Sequence, residues 1–337
     1  MTARDQDGAP VRFGILGAAR IAPSALVKPA RSSPEAECRA VAARHRPRAE
    51  AFARRQRIPV VHDTYDALLA DPDVDAVYIP LPNGLHARWT VAALDAGKHV
   101  LCEKPFTANA KEAEAVAARA EGSGLVVMEA FHWRYHPLAA RMLEIIASGE
   151  IGPVRHVEAA FCFPLPRWSD IRWQLDLAGG ALMDAGCYAV HMVRTLAGSE
   201  PEVARATART RSPGVDRLVQ AELAFAEGVT GRVTASMWSS NILRLSATVV
   251  GETGTLKAFN PIAPQFYGRL TVRKGAVSRR EHVPRRATYA YQLDAFVDAV
   301  RRGAPVLTPP ADSVANMRVI DSIYSAAGME PRTGALL

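Results

Sequence analysis

Two short stretches of this 337-residue chain hold side chains whose types and spacing suit proton chemistry. In "VLCEKPF" (100–106) an apolar run ends in Glu103, Lys104 and Pro105. A lysine at the carboxyl end of a buried strand stands where open α/β sheets place their chemistry; an incidental ion pair in a surface loop is the rival reading. In "GGALMDAGCYAVHMV" (179–193) Asp184, Tyr188 and His191 are spaced i, i+4 and i+7, which puts all three on one face of a helix. Three ionisable groups on one stripe of an apolar helix exceed what a core helix needs. A buried tyrosine with a satisfied hydroxyl, and an aspartate favoured by the helix N-terminus, would be the structural alternative. A tyrosine hydroxyl beside a lysine can give a proton to a carbonyl oxygen or take one from an alcohol.

Those groups need a scaffold, and the hydrophobic pattern supplies one. From residue 11 to about 130, "RFGILG", "ECRAVAAR", "VDAVYIPLP", "HVLCEKP" and "LVVMEAF" read as strands. Helical stretches such as "RAEAFARRQ", "HARWTVAALDAG" and "KEAEAVAARAEGSG" alternate with them. Strand and helix in alternation with short connections predict βαβ units, a parallel doubly wound sheet, and strand ends gathered on one rim. After the helix "HPLAARMLEIIASGEIG" the texture changes to long segments with period-two alternation, from "VRHVEAAFCF" to "GRLTVRKGAVSRREHV". Glycine turns in "FAEGVTGRV" and "VGETGTL" predict hairpins. The expected architecture is α/β, a nucleotide-binding Rossmann unit over 10–130 followed by an α+β unit over 131–310 on an open, mostly antiparallel sheet. A final helix over 311–330 is expected to pack back on the first unit.

Composition narrows the class further. With 49% hydrophobic and 22% charged residues the chain is an ordinary globular sequence, and no apolar run approaches the ~20 residues of a membrane span. The opening "MTARDQDGAPVRFGILG" lacks the build of a signal peptide, so the cytoplasm is the expected compartment. Cys38, Cys102, Cys162 and Cys187 are far apart, with no CxxC pair and no metal-ligand spacing, and no metal is expected. The net charge of +7 comes without a basic run interleaved with aromatics or a DNA-reading motif. That excludes nucleic acid and favours an anionic small molecule such as a phosphorylated cofactor.

The segment "GILGAARIA" (14–22) ends the first strand and opens a helix. Aligned as G-x-G-x-x-G/A it reads Gly17, Ala19, Ala22, small residues that allow a tight turn and a pyrophosphate held on helix N–H groups, with Arg20 and Ile21 in the same turn. Ala19 departs from the fingerprint by one methyl group. An NAD site would show an acid at the end of the second strand; here the strand runs into "VAARHRPR". Arg44 and His45, with Arg46, would attract a 2′-phosphate, and Arg44 can stack on adenine. NADP is the expected cofactor, NAD the alternative, and a solvated basic loop the reading without a ligand. Pro82, Asn83 and His86 in "YIPLPNGLHARW" follow the third strand: Asn83 is placed toward the nicotinamide, while His86 is equally a plain helix-start residue. Lys104, near a cationic nicotinamide, is expected to have a lowered pKa; Glu103 pairs with it or with a neighbour.

These stretches, with "VVMEAFHWRYHP", make the chain similar to the glucose-fructose oxidoreductase / inositol dehydrogenase (Gfo/Idh/MocA) family over essentially its whole length. "EAFHWRYHP" together with Tyr188 resembles the branch of dihydrodiol dehydrogenases and NADP-dependent sugar ketoreductases; the inositol branch has histidine at the position of Tyr188. The resemblance implies that Lys104 is the catalytic lysine, Tyr188 the proton donor and Asp184 the acid that contacts substrate or orients the pair. It implies a substrate pocket lined by Arg134, His136 and Trp133, with Arg172 near the same cleft; His191 is expected to join them from its place on the Asp184–Tyr188 helix face. It also implies a homodimer or homotetramer formed through the second sheet. The activity it implies is hydride transfer between nicotinamide and a hydroxyl or carbonyl of a sugar, deoxysugar or cyclic trans-diol. Nicotinamide-dependent glycoside hydrolysis and a non-catalytic dinucleotide sensor are the alternatives, the second disfavoured by the complete Lys104, Asp184 and Tyr188 set.

Overall fold

The computed structural model describes residues 8–334. The first sheet contains β1 (Val11–Leu16), β2 (Ala36–Ala42), β3 (Val60–His62), β4 (Ala76–Ile79), β5 (His99–Cys102) and β6 (Val127–Glu129). They lie in the order β3-β2-β1-β4-β5-β6, and all neighbouring pairs are parallel. The central strands are apolar throughout because both faces are covered. Ala76 and Tyr78 of β4 join Phe13 and Ile15 on one side, whereas Val77 and Ile79 join Val100 and Cys102 on the other. The covering helices are α1 (Lys28–Arg31, entered through a wide π turn at Pro23–Val27), α2 (Arg46–Gln56), α3 (Tyr65–Leu69), α4 (His86–Asp95) and α5 (Ala110–Ala120). The sequence pattern shows five strands and the fold has six: β3 is three residues long, too short for a period to register. Because the chain winds outward from β1 in one direction and from β4 in the other, a crevice opens at the carboxyl ends of these two strands.

After α6 (Pro137–Ala147) comes the second sheet: β7 (Val154–Cys162), β8 (Glu202–Ser212), β9 (Val215–Ala224), β10 (Thr230–Ser236), β11 (Arg244–Gly251), β12 (Gly254–Phe259), β13 (Arg269–Lys274) and β14 (Val277–Glu281). Its order is β14-β13-β12-β11-β7-β10-β9-β8. The pairs are antiparallel except β7 with β10, which run parallel. In β9, Val219, Ala221 and Leu223 are buried and the residues between them exposed, the period-two signature of a half-covered sheet. The covering helix is α7 (Cys187–Ala197), whose Val190, Val193 and Leu196 share one core with Val157, Ala159 and Val233 of the sheet. That core continues into the α4 and α5 side of the first sheet.

Three helices complete the chain: α8 (Pro264–Tyr267), α9 (Thr288–Arg302) and α10 (Pro310–Ala326). Helix α9, grouped by sequence order with the second unit, packs on the first sheet, its Phe296 ring 5.5 Å from that of Phe13. Helix α10 lies against α5, where Asp321 accepts the amide of Ala110 at 2.8 Å and Arg318 pairs with Glu114. It also reaches the second sheet, Tyr324 donating to Asp216 of β9 at 2.9 Å.

Candidate active site

The carboxyl ends of β1, β2, β4, β5 and β6 open into one cleft of about 2290 Å³, closed on its far side by the segment after β7 and by the start of α7. At the end of β1, Gly17 has φ of +108°, a conformation that L side chains rarely adopt, and a Cβ there would meet Leu81 at 3.0 Å. Its amide donates to Ala42 of β2 at 2.7 Å, which fixes the turn. The backbone N–H groups of Ala19, Arg20 and Ile21 have no carbonyl partner among the described residues. A tight turn with free amides beside a helix start is a cradle for a pyrophosphate.

Past β2, Arg44, His45 and Arg48 face the cleft. Arg46 is engaged by Glu50 at 2.9 Å and by Asp63. Arg44 and Arg48 have no carboxylate partner among the described residues, and Arg48 is anchored on the carbonyl of Ala18 at 3.2 Å. Two uncompensated guanidinium groups at this position suit a 2′-phosphate. The residues therefore fit a phosphorylated dinucleotide: turn, free amides and paired arginines.

Lys104 enters from the end of β5. Its ammonium donates to the backbone oxygen of Asp184 at 2.9 Å and to Oδ1 at 3.2 Å, and it lies 4.9 Å from the centroid of the Tyr188 ring. Burial by itself would lower the Lys104 pKa, but the charges of Asp184 and Glu103 outweigh it and hold the ammonium above its usual range. The lowered pKa expected from sequence is thus reversed in the protein alone, because the nearest carboxylate is in direct contact. Asp184, although buried, is kept below the usual carboxylate range by Lys104 and Arg172. Glu103 is raised by burial and accepts the Tyr78 hydroxyl at 2.7 Å.

The hydroxyl of Tyr188 does not bond to the lysine. It lies 2.9 Å from Nε2 of His132, whose Nδ1 lies 2.8 Å from the hydroxyl of Thr288. Burial raises the Tyr188 pKa well above its ordinary value, so the phenol is protonated at neutral pH. Burial and the Lys104 charge push the His132 imidazole down to about 3, so it is neutral.

Over the cleft runs the irregular segment between β7 and α7. Asp170, almost fully buried, accepts Arg20 at 3.1 Å and Arg172 at 3.1 Å. Arg172 then lies 3.0 Å from Asp184, which holds Lys104. Alternating charges thus link the pyrophosphate turn to the lysine. Asn83 fastens the β4 side to the same segment by donating to Ala178 at 3.1 Å.

Comparison with known proteins agrees with this geometry. Residues 11–131 match an oxidoreductase family with an NAD-binding Rossmann fold, and 139–257 match the Gfo/Idh/MocA C-terminal domain. The chain is 42% identical to D-xylose 1-dehydrogenase (NADP(+)) 2 of Haloferax volcanii, over 94% of this chain and 97% of that protein. It is 38% identical to mouse trans-1,2-dihydrobenzene-1,2-diol dehydrogenase over 69% of this chain and 70% of the other. In three dimensions it resembles KijD10, a 3-ketoreductase from Actinomadura kijaniata solved with NADP and TDP-benzene, with TM-score 0.87 and 32% identity over 94% of this chain and 98% of that one. The chain belongs to the Gfo/Idh/MocA oxidoreductase family.

In this Gfo/Idh/MocA protein the cleft brings together Gly17, Ala19, Arg20, Ile21, Arg44, His45, Pro82, Asn83, Glu103, Lys104, Asp184, Tyr188 and Arg172. Five other sequence candidates point elsewhere. His86 is buried behind the rim, its ring nitrogens 2.7 Å and 2.8 Å from the carbonyls of Pro105 and Leu81, so it brackets two cleft loops rather than facing a cofactor. Trp133, placed by the resemblance in the substrate pocket, is buried and donates to His191 at 3.1 Å. His191 faces Asp312 of α10 at 2.9 Å instead of the cleft. Tyr188 and His191 do share a side of α7, both lying against the Phe131 ring with centroids 5.3 Å and 4.2 Å away, but His191 stands a turn further along the helix, beyond the cleft lining. His136 caps α6 by accepting the Leu138 amide at 3.1 Å, and Arg134 lies toward Tyr135 and Asp312.

Sequence reasoning missed His132 and Arg48. His132 stands in the quoted "HWRYHP" stretch, but only its neighbours were assigned. Its place directly after β6, on the same rim as Lys104, was the available signal. Arg48 is two residues beyond Arg46 in the first turn of α2, and its guanidinium donates to Ala18 in the turn after β1.

Proposed function

We propose that the protein is an NADP(H)-dependent dehydrogenase/reductase acting on a CH–OH/C=O pair of a sugar, deoxysugar or cyclic diol. The observation that carries this reading is that Tyr188 and Lys104 face the same cleft as the Gly17 turn and the unpaired Arg44 and Arg48. The xylose dehydrogenase and ketoreductase similarity supports a sugar as substrate. Gly17, Ala19, Arg20 and Ile21 would hold the pyrophosphate and Arg44 with Arg48 the 2′-phosphate. When bound, the nicotinamide supplies or accepts the hydride.

The chain's own residues handle the proton and the position. Tyr188, protonated at neutral pH, gives its proton to the substrate oxygen in reduction and takes one in oxidation. The Lys104 ammonium, fixed by Asp184 and set over the Tyr188 ring, stabilises negative charge that develops on the phenol and substrate oxygens. Arg172 and Asp170 tie the overlying segment to Asp184 and so to the position of Lys104. Nicotinamide absorbance followed with NADP⁺ or NAD⁺ against D-xylose, other aldoses, deoxysugars and trans-dihydrodiols tests the reading. Turnover with NADP⁺ that falls about 10²-fold or more in both Tyr188→Phe and Lys104→Ala is expected. Near-wild-type turnover in Tyr188→Phe would remove that residue from the mechanism.

A further inference from the structure

The polar contacts of the cleft leave one route for the Tyr188 proton. Lys104 directs two of its three N–H donors at Asp184 and lies over the Tyr188 ring face, with no hydrogen bond to the hydroxyl among the described residues. The partner of the hydroxyl among the described residues is Nε2 of His132, at 2.9 Å. His132 is itself 3% exposed, lines the cleft, and has its second nitrogen 2.8 Å from Thr288 at the first turn of α9. The Tyr289 ring, with its centroid 4.1 Å away, holds the imidazole in place. The other titratable groups facing it are Lys104 and His136, both of which disfavour a positive ring.

We propose that His132, backed by Thr288, is the positioning residue that sets the proton of Tyr188 for each direction of the reaction. This rests on the oxidoreductase reading above. A neutral imidazole carries one N–H, and a threonine hydroxyl can donate or accept, so both tautomers are satisfied here. With the proton on Nδ1, that nitrogen donates to Thr288 and Nε2 accepts the Tyr188 O–H. The phenol oxygen then turns its lone pairs to the cleft, ready to take a proton. With the proton on Nε2, the ring donates to the phenol oxygen and frees the Tyr188 hydrogen for a substrate carbonyl.

The oxidative step balances as follows. The substrate carbon loses a hydride to the nicotinamide dinucleotide, and its hydroxyl proton passes to the Tyr188 oxygen. The original Tyr188 proton passes to Nε2 of His132, forming an imidazolium, which then loses a proton to water in the cleft. Without an acceptor behind it, Tyr188 has to ionise before it can take the substrate proton, and oxidation becomes dependent on hydroxide.

The test compares wild type with His132→Gln, whose amide can still reach the hydroxyl but takes up no proton, and with Thr288→Val, which keeps the side-chain shape. Oxidative kcat is measured from pH 6 to 10 with the best substrate of that panel. His132→Gln is expected to lose about 10²-fold at pH 7, with KM within about twofold, and to regain much of the loss by pH 10. Thr288→Val should lose several-fold with the same slope. Unchanged kcat in His132→Gln, or a loss equal at every pH, overturns the relay while leaving the oxidoreductase reading intact. If wild type turns over none of the sugars, deoxysugars or diols, the functional reading fails, and the relay is judged on the cofactor-free protein by the ring ¹⁵N resonances of His132. Tyr188→Phe should shift Nε2, and an unmoved resonance overturns the proposal.

Discussion

Arg44 and Arg46 are two residues apart, yet their charges meet different surroundings. Arg46 is paired with Glu50 and Asp63, while Arg44 and Arg48 face the cleft with no carboxylate among the described residues. A charge-assisted hydrogen bond to an anion contributes about 1.5–3 kcal/mol, so each guanidinium corresponds to roughly a 10- to 100-fold change in affinity. Replacing both (Arg44→Ala with Arg48→Ala) is expected to weaken NADPH binding by at least about 100-fold in a fluorescence titration. NADH binding should stay within about threefold, because it lacks the 2′-phosphate. Equal weakening for both nucleotides would place these arginines on the adenine or the pyrophosphate instead. Lys104 gives the complementary lesson: a residue type and a strand end point to chemistry, but the direction of its pKa depends on which carboxylate the fold brings into contact.

Elements act here through their ends. The loop after Lys104 is tied down from β6, where Glu129 accepts the Phe106 amide at 2.9 Å. Burial raises the Glu129 carboxyl to about 8, against roughly 4.3 in an unfolded chain. The folded state therefore binds a proton that the unfolded state has released between about pH 4.3 and 8, and stability falls as pH rises through that window. Ionising the group in place costs on the order of 5 kcal/mol. Glu129→Gln keeps an acceptor for Phe106 and removes the ionisation. In thermal unfolding, the variant should lose less Tm than wild type between pH 5 and 9, and parallel curves would show that Glu129 is not the group responsible. The start of α7 acts in the same way: Asp184 in the preceding π turn and Tyr188 in the first turn of α7 line the cleft, while His191, one turn further along, reaches Asp312 behind it.

The segment after α10 is fastened to the second sheet by a buried charge pair behind the turn that carries Asp184. Arg332 contacts Asp216 of β9, with side chains 2% and 0% exposed, and donates to the Gly179 carbonyl at 2.8 Å. Asn109, at the start of α5, donates to the carbonyl of Arg332, so this residue touches both sheets' elements at once. Removing one partner leaves the other charge buried and unpaired, which costs about 3–5 kcal/mol. Arg332→Ala is expected to lower the urea midpoint accordingly, and a change under about 1 kcal/mol would mean that Asp216 is held by Leu182 and Tyr324 alone.

Sequence alone determined the alternation of strand and helix, the change to period-two sheet after about residue 150, the Gly17 turn and the family resemblance. Each of these rests on local periodicity, on one residue type, or on a contiguous motif. Lys104, Asp184 and Tyr188 were legible for the same reason, since "EKP" and the spacing of "DAGCY" are short-range signals. What only the tertiary structure decided is which neighbouring side chain faces the cleft. His132 does and Trp133, Arg134 and His136 do not, because a 3₁₀ turn at His132–Tyr135 points successive residues in different directions. The partner of the Tyr188 hydroxyl lies 56 residues away and the residue behind that partner a further 156. Contacts of that separation are set by how α7, α9 and the end of β6 converge, and no local pattern in the chain encodes them.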